Sequence, residues 1–282
     1  MTAPALASPT SLDEAVRALA EAGGGAEPLA GATWVMRALQ RGEGFAPAYV
    51  SLRGLPELAG ARIGERASLG TLLTHDELGR LEPGCGPLGA LAQAARASAF
   101  PAVRAVATLG GNICARGFVE ADLTPALLAL GAEVEVASAA DVATLPLDDY
   151  LDRRPAGIVT RVTLPLPAGR RSAYERLTVR GGGEYPVCGV AVALELAAGS
   201  RRIAAAAVAA TSLAKRPLLL PAAAAALAGV ALADEAAVLA AGRAGCAGLP
   251  ERDGLDAPGW YRLAVLPALL RDAVARIAGE AA

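Results

Sequence analysis

The 282-residue chain carries 26 basic and 28 acidic side chains, well mixed, for a formal charge of −2. That balance argues against the basic stripe of a nucleic-acid-binding surface. Apolar residues make up 54% of the chain, enough for a full core in two or three subdomains. No apolar run reaches membrane-span length without Gly, Pro or charge; the nearest, Leu218 to Ala233, carries Pro221 and Gly229 and stops at Asp234.

The cysteines Cys85, Cys114, Cys188 and Cys246 form no C-x-x-C pair, and His75 is the single histidine. A dedicated iron–sulfur or zinc site is therefore not expected in this chain. Met1-Thr2-Ala3-Pro4 lacks the basic and apolar regions of a secretory signal, so the expectation is a cytoplasmic protein with reduced thiols.

In chain order, Ser11-Leu12-Asp13-Glu14 matches a capping box and opens a helix with Leu12, Ala15, Val16 and Leu19 on one face, stopped by Gly23-Gly24-Gly25. A short strand over Glu27–Ala30 leads into a glycine turn, Leu29-Ala30-Gly31-Ala32-Thr33, and a helix over Thr33–Arg41 closed by Gly42. Tyr49–Leu52 reads as a strand, and Leu55–Ile63 as extended segments broken by Gly54, Gly60 and Gly64. The pattern over Leu72–Leu81 is ambiguous. Leu88–Ala99 reads as a helix ending before Pro101.

The strand-like Ala105-Val106-Ala107 then runs into Thr108-Leu109-Gly110-Gly111-Asn112. Two adjacent glycines there suggest a sharp turn with φ > 0. Successive N–H groups in such a turn can form an anion-binding concavity. A helix follows with Asp122 as its N-cap and Gly131 at its end. Glu133–Val136 and Ile158–Leu164 read as strands, and Pro165–Arg171 as a linker. Beyond it come three strands (Tyr174–Arg180, Val187–Leu196, Ile203–Thr211) and then three helices (Pro221–Leu227, Asp234–Ala244, Pro258–Ile277). Strands and helices in blocks indicate an α+β unit. Two phosphate-compatible turns suggest a dinucleotide held between them.

These motifs, in this order, resemble the FAD-binding (medium) subunit of the molybdenum hydroxylases. That family includes the flavoprotein subunit of aerobic carbon monoxide dehydrogenase and the FAD domain of xanthine dehydrogenase. Leu29-Ala30-Gly31-Ala32-Thr33 is similar to the family's first pyrophosphate loop, Ala-Gly-Gly-Thr, with Ala32 in place of the second glycine. Ala107-Thr108-Leu109-Gly110-Gly111-Asn112-Ile113 resembles its second loop, and Ala121–Leu130 the segment after it. Tyr174-Glu175-Arg176 with Val187–Leu194, and Trp260-Tyr261-Arg262-Leu263 with Leu269-Leu270-Arg271, resemble its C-terminal part.

The resemblance implies an α+β chain. Residues 1–168 would form a two-subdomain FAD-binding domain of the PCMH (vanillyl-alcohol-oxidase-like) type, with subdomains at about 1–55 and 56–168. Residues 169–282 would form a three-stranded antiparallel sheet with a helical bundle. It implies FAD as cofactor, with Leu29, Ala30, Gly31, Ala32, Thr33 and Trp34 at the first loop and Thr108, Leu109, Gly110, Gly111 and Asn112 at the second, both offering main-chain donors. Asp122 would accept from adenosine or ribityl hydroxyls, and Val159 would lie near the adenine. Arg180 and Tyr185, flanking Gly181-Gly182-Gly183, would reach the isoalloxazine. Electrons would arrive from a 2Fe-2S partner subunit fed by a molybdenum-cofactor large subunit, and leave to an external acceptor. No catalytic acid or base and no metal ligands are expected in this chain.

Plainer readings stand beside these. Asp122 can be an N-cap alone, Trp34 core packing, His75 a surface or satisfied histidine, and Cys114 a small buried residue. The alternatives in function are a stand-alone FAD-dependent reductase of the same fold, such as the reductase of UDP-N-acetylglucosamine enolpyruvate, and a flavin-free scaffold subunit.

Overall fold

A computed structural model describes residues 4–181 and 184–280. A small parallel sheet opens the chain. β1 (Ala5–Ala7) leads to α1 (Leu12–Glu21), β2 (Ala26–Leu29) and β3 (Ala48–Ser51), in the order β1-β3-β2. Ser11 accepts from the Glu14 N–H at 3.2 Å as the motif predicts, but the Glu14 carboxylate turns to the N–H and hydroxyl of Thr10, so the box is not reciprocal. Between β2 and β3 the helix expected over Thr33–Arg41 is instead two 3-10 turns, Val35–Arg37 and Leu39–Arg41, ended by Gly42 at φ 75°.

A five-stranded antiparallel sheet follows, built from β4 (Ala61–Ile63), β5 (Arg66–Gly70), β6 (Glu133–Ala137), β7 (Val142–Pro146) and β8 (Ile158–Pro165), ordered β4-β5-β8-β6-β7. Between β5 and β6 run α2 (His75–Leu78), α3 (Gly89–Ala97), α4 (Pro101–Arg104), α5 (Leu109–Cys114) and α6 (Leu123–Ala129); α7 (Leu147–Arg153) joins β7 to β8. The ambiguous stretch resolves into α2, where Thr74 and Glu77 form a full reciprocal capping box. Ala105-Val106-Ala107 is not a strand. It is the turn leaving α4, whose Pro101 sits at the first helical position where its missing N–H costs nothing. The β7–α7 segment is not anticipated by the sequence pattern.

The C-terminal sheet has four antiparallel strands rather than three: β9 (Arg171–Leu177), β10 (Cys188–Leu196), β11 (Ile203–Thr211) and the two-residue β12 (Leu218–Leu219), ordered β12-β11-β10-β9. α8 (Pro221–Leu227), α9 (Glu235–Cys246) and α10 (Gly259–Glu280) cover one face, burying Val190, Val192, Leu266, Leu270 and Ile277 among others. The other face lies on the preceding part of the chain, where Tyr174, Ala191, Ala193 and Ala209 join a core containing α3, α5, α6 and the five-stranded sheet. Alanines on β10 and β11 let α6 approach closely, and all seven residues of α6 are buried. Among the described residues no helix is long and apolar enough to cross a membrane.

Candidate functional site

The two glycine turns of the sequence meet in space. A Cβ on Gly31 would lie 2.0 Å from the Val106 carbonyl oxygen and 3.2 Å from the Ala107 Cα, all main chain. The first turn can therefore seat against the segment entering the second only because residue 31 has no side chain. Ala32 follows at φ 60°, a left-handed conformation that glycine adopts without strain. Among the described residues, the N–H groups of Gly31, Ala32, Thr33, Trp34 and Val35 meet no acceptor, nor does the Thr33 hydroxyl.

The second turn is built differently. Gly110 and Gly111 are in the first turn of α5, with no positive φ, so the sharp-turn expectation is corrected. Gly110 is required because a Cβ would lie 2.9 Å from the Thr71 Cβ. The N–H groups expected to face a ligand are used within the protein. Leu109 donates to the Leu73 carbonyl at 2.8 Å, Gly110 to Thr71 at 2.9 Å, Gly111 to Thr108 Oγ1 at 3.1 Å and Asn112 to the Thr108 carbonyl at 3.0 Å. The Thr108 hydroxyl, accepting from Gly111, retains its own proton to donate. Asn112 is buried, its Oδ1 accepting from Thr124 Oγ1 at 3.3 Å. The open donors therefore lie on the first turn, and the second turn is its rigid floor.

Behind the second turn, His75 donates its main-chain N–H to the Ala107 carbonyl at 2.9 Å, and its ring Nδ1 lies 2.6 Å from Ser98 Oγ. Nε2 is buried without a partner among the described residues. Burial pushes the imidazole down to about 4, so the ring is neutral at ordinary pH. His75 is thus a buried histidine rather than a surface one.

Asp122 stands at the N-cap position of α6 but does not cap it. Its carboxylate is turned toward β9, where Arg176 Nη1 donates to both oxygens at 2.9 Å and the Tyr174 hydroxyl donates to Oδ1 at 2.7 Å. Side-chain exposures of 5% and 8% make this a buried pair. Burial pushes the carboxyl up to about 6, against the opposing pull of Arg176 and Tyr174. Arg176 also donates to the carbonyls of Ala97 and Glu184, joining α3, α6 and the segment before Tyr185. Val159 is buried in the large core, and its carbonyl accepts from Thr71 Oγ1 at 2.7 Å.

A row of aromatic rings leads away from the first turn. Trp34 stacks on Phe118 with centroids 4.5 Å apart, and Phe118 meets Tyr185 edge-on at 5.4 Å. Arg41 lies over the Trp34 ring at 3.8 Å, and Arg37 lies 5.0 Å from the Tyr185 ring centre. Arg180 is largely exposed and paired with Glu184 at 2.7 Å. Gly182 and Gly183 of the glycine-rich segment lie outside the described residues.

Phe118, Arg37 and Arg41 are not among the residues the sequence singles out. The available signal was aromatic scarcity, since Phe118 is one of three phenylalanines in the chain.

The row is held from behind. Ser212, at φ 71°, donates its hydroxyl to the Pro186 carbonyl at 2.8 Å and its N–H to the Val119 carbonyl at 3.0 Å. The wholly buried Arg262 donates to the Val187 carbonyl at 2.6 Å, and Arg252 spans the Ser212 carbonyl and Glu120 at 2.9 Å each. The segments carrying Phe118 and Tyr185 are thereby held by Ser212 at the end of β11, by Arg252 ahead of α10 and by Arg262 within it.

The family described as the FAD binding domain in molybdopterin dehydrogenase matches residues 3–167, and the CO dehydrogenase flavoprotein C-terminal domain matches residues 172–277. The chain is 28% identical to the carbon monoxide dehydrogenase medium chain of Afipia carboxidovorans, over 97% of this chain and 96% of that one. It superposes on a solved chain of reconstituted CO dehydrogenase from Oligotropha carboxidovorans with TM-score 0.88, at 26% identity, covering 98% of this chain and 97% of that one. A chain of quinoline 2-oxidoreductase from Pseudomonas putida 86 shares the fold with TM-score 0.87, at 24% identity and 99% and 98% coverage.

Proposed function

The chain belongs to the family of FAD-binding domains in molybdopterin dehydrogenases, and from that premise we propose that it is the flavin-bearing electron-transfer subunit of a molybdenum hydroxylase complex. The observation that carries the reading is the seating of Gly31 on Val106–Ala107, which leaves five consecutive N–H groups of the first turn open beside the second. That donor set suits a diphosphate, which needs several hydrogen bonds rather than a single cation.

In this reading Leu29 to Trp34 hold the diphosphate, chiefly through the N–H groups of Gly31, Ala32, Thr33 and Trp34 and the Thr33 hydroxyl. Thr108 adds a hydroxyl from the opposite side, with Leu109, Gly110, Gly111 and Asn112 supplying shape. Tyr185 with Phe118 and Trp34 offers a surface on which a planar ring can stack. Asp122 acts through Arg176, holding the C-terminal sheet against the flavin-binding part. When bound, FAD would supply a redox centre that takes electrons singly from the 2Fe-2S subunit and passes them to an external acceptor. The aromatic and main-chain groups of this chain would orient the ring system.

The partners in this proposal are a 2Fe-2S subunit and a molybdenum-cofactor subunit, and the setting is cytoplasmic. What supports the partners is that the relatives are chains of dehydrogenases, one of them named a medium chain. The domain division at 168/169, in the segment between β8 and β9, is part of the same proposal.

The test is the visible spectrum of the purified chain with identification of the released flavin. Stoichiometric FAD is the expected result, and Gly31→Ala, which forces its new Cβ onto the Val106 carbonyl, is expected to weaken FAD binding at least about tenfold. A colourless chain that takes up no FAD, alone or with its partner subunits, would overturn the flavin role.

A further inference from the structure

Two arginines, Arg37 and Arg41, stand beside the aromatic row, and a third, Arg180, lies a few residues before Tyr185 in the chain; they differ in what neutralises them. Arg41 grips the Glu43 carboxylate through Nε and Nη2. Arg180 is bound to Glu184. Arg37 meets no carboxylate among the described residues: its Nη1 donates to the Tyr185 hydroxyl at 2.7 Å and its Nε to Gln40 Oε1 at 3.1 Å. Glu120, the acidic group acting on Tyr185, is already held by Arg252 at 2.9 Å. An uncompensated guanidinium is thus fixed at the Tyr185 end of the row, two rings away from the open donors of the first turn.

We infer that the cation this chain presents to the flavin ring is Arg37 rather than Arg180, which the resemblance places at the isoalloxazine. The inference rests on the flavin-binding reading above. On taking up two electrons and one proton a flavin gains one negative charge, centred on the N1–C2 carbonyl edge of the ring. A guanidinium without a carboxylate partner stabilises that charge, whereas one already paired has little field left to offer. The diphosphate does not need Arg37, because five main-chain donors and the Thr33 hydroxyl already face its place. The Tyr185 hydroxyl, which accepts from Arg37, keeps its own proton and can donate to the ring or to water at its edge.

The deciding experiment compares the flavin midpoint potential, by dithionite titration of the FAD-loaded chain, in the wild type, Arg37→Gln, Arg37→Lys and a remote surface control, Arg62→Gln. FAD dissociation constants in the oxidised state are measured alongside. Arg37→Gln is expected to lower the preference for reduced over oxidised FAD about tenfold, or ~30 mV for a two-electron couple. Arg37→Lys should recover much of the loss, and Arg62→Gln should leave the potential unchanged. A wild-type potential in Arg37→Gln overturns the inference. So does a weakened oxidised-state affinity at unchanged potential, which would assign the charge to the diphosphate. A wild-type chain that binds no FAD overturns the flavin-binding reading as well, so the two failures are distinguishable.

Discussion

Ala32 holds φ 60° between Gly31 and Thr33, and its carbonyl accepts the Met36 N–H at 2.9 Å. A Cβ in the left-handed region costs roughly 1–2 kcal/mol, and the resemblance places a glycine at this point of the loop. Reverting to glycine relieves the strain but gives the unfolded chain back about 0.4–1 kcal/mol of entropy. Ala32→Gly should therefore stabilise the chain by a net ~0.5–1 kcal/mol, read as a higher urea midpoint at unchanged slope. A lower midpoint would mean that this residue does not occupy the left-handed region in the free chain. Gly31 is the opposite case, since its backbone is ordinary and the space beside it is not. The sequence shows both residues as members of one turn and gives no means of telling which is required for conformation and which for clearance.

At the scale of elements, the long strands and helices were legible wherever burial is one-sided or total. The helices over 221–227, 235–246 and 259–280 and the strands over 158–165, 188–196 and 203–211 fall close to the positions their apolar patterns indicate. Short elements were not. β7 is exposed except for the half-buried Leu145, so no alternation marks it, and α5 hides behind a glycine pair that suggests a turn. Of the candidate site, the two loops were legible, but the aromatic row joins residues 34, 118 and 185, which no local pattern links.

Asp122 shows the same limit. Its place before α6 fits a cap, yet the tertiary pair with Arg176 prevails. Asp122→Asn leaves Arg176 buried without its counter-charge and should cost ~3–5 kcal/mol. It should also alter the pH dependence. The carboxyl sits at about 6 when folded against 3.8 ordinarily, so its stabilising contribution is full below 3.8 and lost as pH rises through 6. His75 runs the other way: with a folded value of about 4 against 6.5, its contribution is present above 6.5 and lost as pH falls through 4. Urea midpoints between pH 4 and 7 should rise less steeply with pH in His75→Gln than in the wild type, and more steeply in Asp122→Asn. Parallel curves for all three would show that neither group differs between folded and unfolded chains.

Across the whole molecule, the flavin-binding part and the C-terminal sheet share one core. α6 is buried between the five-stranded sheet and the alanine face of β10 and β11, and the Arg176–Asp122 pair closes the same boundary. Further ties cross it. The Ser172 N–H donates to the Cys85 carbonyl at 2.9 Å, the Tyr174 N–H to Gln93 Oε1 at 2.8 Å, and Arg216 to Asp148 and Asp152 at 2.8 Å each. At the end of α10, Glu280 accepts the Cys85 N–H at 2.6 Å. Separating the two parts would expose α6 and leave two buried charges without partners, so they should unfold together rather than in sequence. The two tryptophans allow a direct check, because Trp34 lies in the first part and Trp260 in the second. In Trp260→Phe the emission reports on the flavin-binding part, and in Trp34→Phe on α10. Each variant should show a single urea transition in which its remaining tryptophan and far-UV circular dichroism change together. Leu127→Ala in α6, built into either background, should lower both signals in step by ~2–5 kcal/mol, the cost of emptying a fully buried leucine site. If the Trp260 signal kept its midpoint while the Trp34 signal fell, the shared core would not couple the two parts, and the ring-bearing segments near residues 118 and 185 would be free to separate.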